Sequence, residues 1–260
     1  MSQSLEKSKN SKAPITNFFE NIFGRIWACW GIITFIVTFL IIFIPSMCSY
    51  LLPEKKGQTY FIAVSRWWMN FWLILIGCPV KIYGREHFKE GENYVVVYNH
   101  NALLDVPLSA PYIPGPNKTI AKASFARVPL FGQFYKRGSV LVDRKNEISR
   151  RRSYDQMMKV LASGMHMCLY PEGTRNRTNQ PLKTFYDGAF KLAVDSKKDI
   201  MPGIIVGTSK AMPINKPFFL KPTRLKMRFL PVVSSADTSS KELKEKIFSI
   251  MLKALADEDK

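Results

Sequence analysis

The stretch Tyr94-Val95-Val96-Val97-Tyr98-Asn99-His100-Asn101-Ala102-Leu103-Leu104-Asp105 passes from an unbroken β-branched and aromatic run into polar residues within one step. Tyr94–Tyr98 reads as a strand. His100 then sits where an apolar strand stops. Asp105 follows five positions later, across residues able to form a turn or a first helical turn. If that turn brings the carboxylate back, Asp105 accepts from one imidazole nitrogen. The other nitrogen is left as an acceptor facing outward, able to take a proton from a hydroxyl. This is the base-and-orienter half of a triad, without a protein nucleophile. Alone the spacing is a weak signal, because a chain with three histidines and nine aspartates produces it by chance.

Outward from this stretch, similar short runs recur. Val80–Tyr83, Thr119–Ala121, Val140–Val142, Met165–Tyr170, Ile200–Val206 and Leu225–Phe229 read as strands. Helical patterns lie between them. Glu147–Ala162 places Tyr154, Met157, Met158 and Leu161 on one face, with Gly164 as a stop. Tyr186–Ser196 is a second helix. A third opens on Ser239-x-x-Glu242, a capping-box pattern, and spaces Leu243, Ile247, Ile250, Met251 and Leu255 along one stripe. Strand–helix alternation predicts an α/β fold, a mixed central sheet flanked by helices, over residues 81–260. There is no internal repeat, no G-x-G-x-x-G and no Walker A pattern.

Upstream the composition changes. Residues 1–20 are rich in Ser, Lys and Asn up to Pro14 and read as a flexible tail. After Arg25 no charged residue occurs until Glu54, leaving a 28-residue uncharged stretch that contains IWACWGIITFIVTFLIIFI. About 20 apolar residues cross a bilayer. The stretch outruns the h-region of a secretory signal and lacks a small-residue cleavage site, so a retained membrane helix is expected over roughly 24–45. A second apolar segment, Tyr60–Val80, is interrupted by Arg66 and Asn70; its Trp67, Trp68 and Trp72 are typical of the membrane–water boundary. It could span, dip in or lie in the interface. Residues 21–80 are thus expected to be membrane-embedded anchoring helices. Arg25, Lys55 and Lys56 flank the first segment, which favours a hairpin with both ends, and the domain that follows, on the cytosolic face.

The chain of 260 residues carries 38 basic and 20 acidic side chains, a net charge of +18, of which +14 lies after residue 80. That balance calls for an anionic partner: nucleic acid, anionic lipid or a phosphorylated substrate. With 47% hydrophobic residues the chain is not generally disordered. Four cysteines without paired spacing exclude a disulfide scaffold and a zinc ribbon.

Three further segments carry chemistry. Tyr170-Pro171-Glu172-Gly173-Thr174-Arg175 follows an apolar strand, so its polar groups land at a strand's C-terminal end, where ligands of open α/β sheets collect. Arg175 can grip a phosphate bidentately, helped by Thr174 and backbone amides; alternatively Glu172 and Arg175 form an ion pair closing a turn. Gly138-Ser139-Val140-Leu141-Val142-Asp143-Arg144 opens a strand with glycine and closes it with a charged pair, whose bland reading is a surface salt bridge. Ile200–Thr208 is a strand interrupted by Pro202.

Together and in this order, these segments resemble the glycerolipid acyltransferase family, whose best-known members are 1-acylglycerol-3-phosphate acyltransferases. N-H-x4-D is met by Asn99, His100 and Asp105; G-x4-[DPR]-R by Gly138, Asp143 and Arg144; [FY]-P-E-G-T-R by Tyr170–Arg175. The fourth block is met loosely by Met201-Pro202-Gly203, with Gly203 where the family prefers a β-branched residue. Ile120–Ser124 also resembles the family's segment between the first two blocks. The resemblance covers residues 60–210. It implies transfer of a fatty acyl group from an acyl thioester, carried by coenzyme A or acyl carrier protein, to the hydroxyl of a lysophospholipid, with no acyl-enzyme, metal or redox cofactor. By carry-over His100 is the base and Asp105 its support. Glu172, Arg175, Arg144 and, more weakly, Lys122 surround the glycerophosphate, and Gly173 and Thr174 shape the loop. The acceptor is expected to be lysophosphatidate, giving phosphatidate. Glycerol-3-phosphate, another lysophospholipid and a lyso-aminolipid stand as alternatives.

Other residues are set aside. His87 lies in a charged connection and reads as solvated, His166 as packed within its strand, and Cys29, Cys48, Cys78 and Cys168 as small hydrophobes. Arg150–Arg152 read as a solvated helix face or as a site for an acidic partner. A non-enzymatic basic protein docking on membrane lipid would need the charge and the anchor but has no use for His100 and Asp105. Nucleic acid is disfavoured, since no recognisable binding module accompanies the charge.

Overall fold

A computed structural model describes residues 2–178 and 180–258, with side chains described from residue 18 onward. Seven strands form one sheet: β1 (Val80–Tyr83), β2 (Val95–Tyr98), β3 (Asn117–Lys122), β4 (Ser139–Val142), β5 (His166–Leu169), β6 (Ile200–Val206) and β7 (Leu225–Phe229). Their order is β1-β7-β6-β2-β5-β3-β4. β6, β2, β5, β3 and β4 run parallel, β7 is antiparallel to β6, and β1 is parallel to β7. The mixed α/β sheet expected from the sequence is therefore present, with each expected strand in place to within two residues of its bounds. β2 and β5 are buried along their whole length, which is why they read as unbroken apolar runs rather than alternating ones.

Two cores sandwich the sheet. On one face lie α5 (Glu147–Ala162), α6 (Gly188–Ser196) and α8 (Ser240–Glu258), which bury Met157, Leu161, Phe190, Leu243, Ile247 and Met251. The expected capping box is made: Ser239 N–H donates to Glu242 Oε2 at 2.9 Å, and Glu242 N–H to Ser239 Oγ at 3.2 Å. On the other face lie α1 (Ser2–Met47), α2 (Glu54–Leu75) and α3 (Asp105–Tyr112). Two short helices, α4 (Phe131–Gly138) and α7 (Thr208–Ala211), complete the fold.

The N-terminal helices depart from expectation in three respects. The tail expected over 1–20 is instead helix from Ser2, continuous with the apolar segment and with Pro14 inside it. Of the three boundary tryptophans only Trp67 is exposed; Trp68 and Trp72 pack on Phe35 of α1. Arg66, which interrupts the second apolar segment, donates to the carbonyls of Pro111 and Ile113 at the end of α3. α2 is thus a docked helix. Among the described residues, only Phe18–Leu51 is long and apolar enough to cross a membrane. Tryptophan side chains tie α1 and α2 together. Trp27 and Trp30 donate to the free carbonyls of Ile76 and Leu75 at the end of α2, and Trp68 donates to Thr38. Ile33, Ile36, Leu40, Ile41 and Ile44 remain exposed along α1.

Gly203, the departure in the fourth block, has a packing cause. Its register partner on β2 is Tyr98. A Cβ on Gly203 would lie 2.4 Å from the Tyr98 ring, which is fully buried. The ring occupies the volume a β-branched side chain would need.

Candidate active site

The parallel strands β2, β5, β3 and β4 end on one edge of the sheet, and the polar segments leave from there. Asn99 anchors the first. Its side chain donates to Ile205 O (2.9 Å) and accepts from Ile205 N–H (2.7 Å), tying the end of β2 to β6. The chain then turns into α3, and the turn brings Asp105 back as expected. Asp105 Oδ2 lies 2.9 Å from His100 Nδ1 and accepts the N–H groups of Asn101 (2.6 Å) and Ala102 (2.8 Å). A carboxylate only accepts, so Nδ1 carries the proton and Nε2 is the acceptor. Asp105 is fully buried, and the His100 side chain retains 14% of its accessible surface.

Tyr170 and Glu172 fix this pair from β5. The Tyr170 ring stacks on His100 with centroids 4.3 Å apart, and its hydroxyl donates to Asp105 O at 2.9 Å. Glu172 Oε1 accepts His100 N–H at 2.7 Å, and Oε2 accepts Lys183 N–H at 3.1 Å. Asn176 N–H donates to His100 O at 2.6 Å. Backbone and ring of His100 are thus held from both sides.

Glu172 corrects the expectation that it meets a phosphate. Its side chain is fully buried, points under the His100 turn, and makes no ion pair with Arg175 among the described residues. Burial pushes its carboxyl up to about 7, against the pull of the two backbone N–H groups. Gly173 is what separates Glu172 from its neighbours. At φ 69° it turns the chain in a conformation that side chains disfavour, and a Cβ there would lie 2.7 Å from the Tyr186 ring. Glu172 faces inward, and Thr174 and Arg175 face out.

The remaining expected residues converge. A cavity of about 540 Å3 is lined by His100, Lys122, Arg144, Gly173, Thr174 and Arg175. Neither Arg144 nor Arg175 pairs with a carboxylate among the described residues, so the salt-bridge readings of Asp143–Arg144 and Glu172–Arg175 do not hold. Three cationic side chains, Lys122, Arg144 and Arg175, therefore stand around an oriented imidazole without a carboxylate partner among the described residues. Arg177 and Lys183 join them, with Lys183 Nζ donating to Thr174 Oγ1 at 2.9 Å. These two, and the roles of Tyr170 and Asn99, were not assigned from sequence. Tyr170 and Asn99 lie inside the quoted motifs, whereas Lys183 sits in a loop without periodicity and carries no signal. Beneath Leu103, Val106, Phe125 and Tyr135 the cavity adjoins an apolar one walled by α1 and the loop around Phe219.

Known proteins share the sequence and fold of this region. An acyltransferase family model matches residues 79–206. A 1-acyl-sn-glycerol-3-phosphate acyltransferase of Chlamydomonas reinhardtii is 30% identical over 176 residues, 65% of this chain and 52% of that protein. The alpha form from Mus musculus is 31% identical over 165 residues, 62% of this chain and 57% of that protein. The chain spans between half and three fifths of the length of the first curated relatives it matches. In fold it is similar to the crystal structure of the 1-acyl-sn-glycerophosphate acyltransferase PlsC from Thermotoga maritima, with TM-score 0.79 and 20% identity over 92% of this chain and 98% of that one. Residues 79–206 are accordingly an acyltransferase domain, similar to those of 1-acylglycerol-3-phosphate acyltransferases.

Proposed function

We propose that the protein is a membrane-bound O-acyltransferase that moves a fatty acyl group from a thioester to the free hydroxyl of 1-acylglycerol-3-phosphate, giving phosphatidate. The observation that carries this reading is the imidazole of His100, held by Asp105, in a cavity ringed by Lys122, Arg144 and Arg175, which have no carboxylate partner among the described residues. His100 Nε2 takes the hydroxyl proton as the oxygen attacks the thioester carbonyl. The tetrahedral intermediate collapses, the C–S bond breaks, and the leaving thiolate takes the proton back from Nε2. Asp105 holds the tautomer and offsets the charge on the imidazolium. The phosphate sits against Arg175, Arg144 and Lys122, and acyl chains lie in the apolar cavity beside α1. As written, the step uses these side chains and calls on no metal or redox group.

The exposed apolar face of α1 supports insertion into a bilayer, and the basic domain supports the anionic cytosolic leaflet, where each Lys or Arg near the surface contributes about 1 kcal/mol. The test is acyl transfer by membranes containing the protein. Lysophosphatidate, glycerol-3-phosphate and lysophosphatidylcholine are each offered with coenzyme A and acyl-carrier-protein thioesters. Turnover is expected with lysophosphatidate above the others; turnover of no acceptor overturns the reading.

A further inference from the structure

The cavity at His100 does not end at Tyr170. Past Tyr170, Gly173 and Thr174 it meets a second cavity of about 500 Å3, on the opposite face of the sheet between α5 and α6. Arg144 lines both. The second cavity has a floor of buried apolar side chains, Val142, Met157 and Leu169, and Arg150 is also in its lining. Arg150 makes no ion pair among the described residues, and no carboxylate lines the cavity. Arg151 and Arg152 follow it on α5, both exposed. None of the lining comes from α1, α2 or α3.

Two substrates must meet at His100. The lipid acceptor and the acyl chains are accounted for by the apolar cavity on the α1 face. The carrier of the thioester is water-soluble and anionic, and it needs an approach from the side away from the bilayer. We propose that the groove between α5 and α6 holds the phosphopantetheine arm of the acyl donor, with its phosphate against Arg150 and Arg144; this rests on the acyltransferase reading above. An extended arm with methyl groups and amides suits an apolar floor, and a phosphate at its end suits guanidinium groups that have no carboxylate partner among the described residues. Arg144, at the junction, would touch both substrates.

The experiment is steady-state kinetics on the full chain in detergent micelles, varying donor and acceptor separately. Three donors share one acyl group: the coenzyme A thioester, the acyl-carrier-protein thioester and an acyl-pantetheine without phosphate. Arg150→Ala should raise the KM for the preferred phosphate-bearing donor about ten- to hundredfold, leave acceptor KM unchanged, and leave acyl-pantetheine unaffected. Whichever carrier the wild type prefers identifies the source of the arm. Gly188→Trp is the second variant. Gly188 lines the groove, and a Cβ there meets nothing within 4 Å, so the indole fills the groove and should raise KM for all three donors. Lys210→Ala, in a separate cavity near Asn101, should change none of them. An Arg150 effect on acceptor KM, an equal effect at Lys210, or unchanged donor KM in both groove variants at wild-type melting temperature each overturns the groove. A wild type inert with every thioester overturns the acyltransferase reading instead.

Discussion

Glu172 holds His100 by its backbone, with the carboxylate buried beneath the turn and Oε1 2.7 Å from His100 N. Burial raises its folded-state pKa to about 7 from an ordinary 4.5. For a carboxyl whose folded pKa is raised, the native state holds more protons than the unfolded one between those values. Stability therefore falls as pH rises from about 4.5 and levels off above about 7, by on the order of 3 kcal/mol. Glu172→Gln removes this slope. The stability of wild type relative to Glu172→Gln should decline between pH 5 and pH 8 in urea or thermal melts. A pH-independent difference refutes the shifted carboxyl. Because glutamine has one acceptor oxygen for two backbone N–H groups, kcat should also drop about ten- to hundredfold through loosened placement of His100.

Removing the base itself is a sharper test. His100→Ala should lower kcat about 10²–10⁴-fold with little change in melting temperature, since the side chain is partly exposed and packs chiefly on Tyr170. Turnover at wild-type rate in purified protein rejects the general-base role.

Arg175 and Glu172, three residues apart in one motif, should separate kinetically. Arg175 has no carboxylate partner among the described residues and lines the cavity. Arg175→Ala should raise acceptor KM about tenfold and leave stability within about 0.5 kcal/mol. If Arg175→Ala unfolds the protein, the residue is structural.

That separation also shows what the sequence could and could not reveal. His100 and Asp105 were legible because their contact is local, made by one turn at the end of an unbroken apolar strand. The convergence of Arg144 and Arg175 on one cavity was legible because strand ends place them on one edge. Glu172 was not, because its direction is set by the positive φ of Gly173 and by backbone N–H groups 72 and 11 residues away. α3 was expected only as a turn or first helical turn, since Pro107 and Pro111 disguise it; its last carbonyls are satisfied by Arg66 from a distant helix. Gly203 read as a departure from a motif until Tyr98 was seen to fill its space.

The Tyr98–Gly203 pair gives a packing prediction. Gly203→Val forces a branched side chain against a fully buried ring. Overpacking of this kind costs about 1–3 kcal/mol. Shrinking the ring with Tyr98→Leu in the same chain should recover part of that loss, since the two residues compete for one volume. A double variant no more stable than Gly203→Val alone would mean that backbone constraints on β6, not the ring, exclude the side chain.

Arg137 ties the link between α1 and α2, and the start of α2, to the acyltransferase domain. It lies on α4 with its side chain 3% exposed, and it donates to Glu54 Oε2 at 2.6 Å and to Ser49 Oγ at 3.1 Å in the link between α1 and α2. Its guanidinium also lies over the Tyr50 ring, 4.9 Å from the centroid. Glu54 in turn pairs with Lys118 of β3 at 2.8 Å, so one carboxylate joins the helix link to both α4 and the sheet. Arg137→Ala strands the buried ends of this network. Glu54 keeps Lys118 and is half exposed, so the loss should be below that for a fully buried pair, about 2 kcal/mol. The apolar cavities between hairpin and domain depend on the same docking, with Phe35 and Phe131 lining both. Arg137→Ala should therefore weaken selectivity among acyl chain lengths while leaving acceptor KM near wild type. Measured together, a lowered melting temperature with unaltered chain-length preference would show that Arg137 stabilises the fold without setting the position of the hairpin.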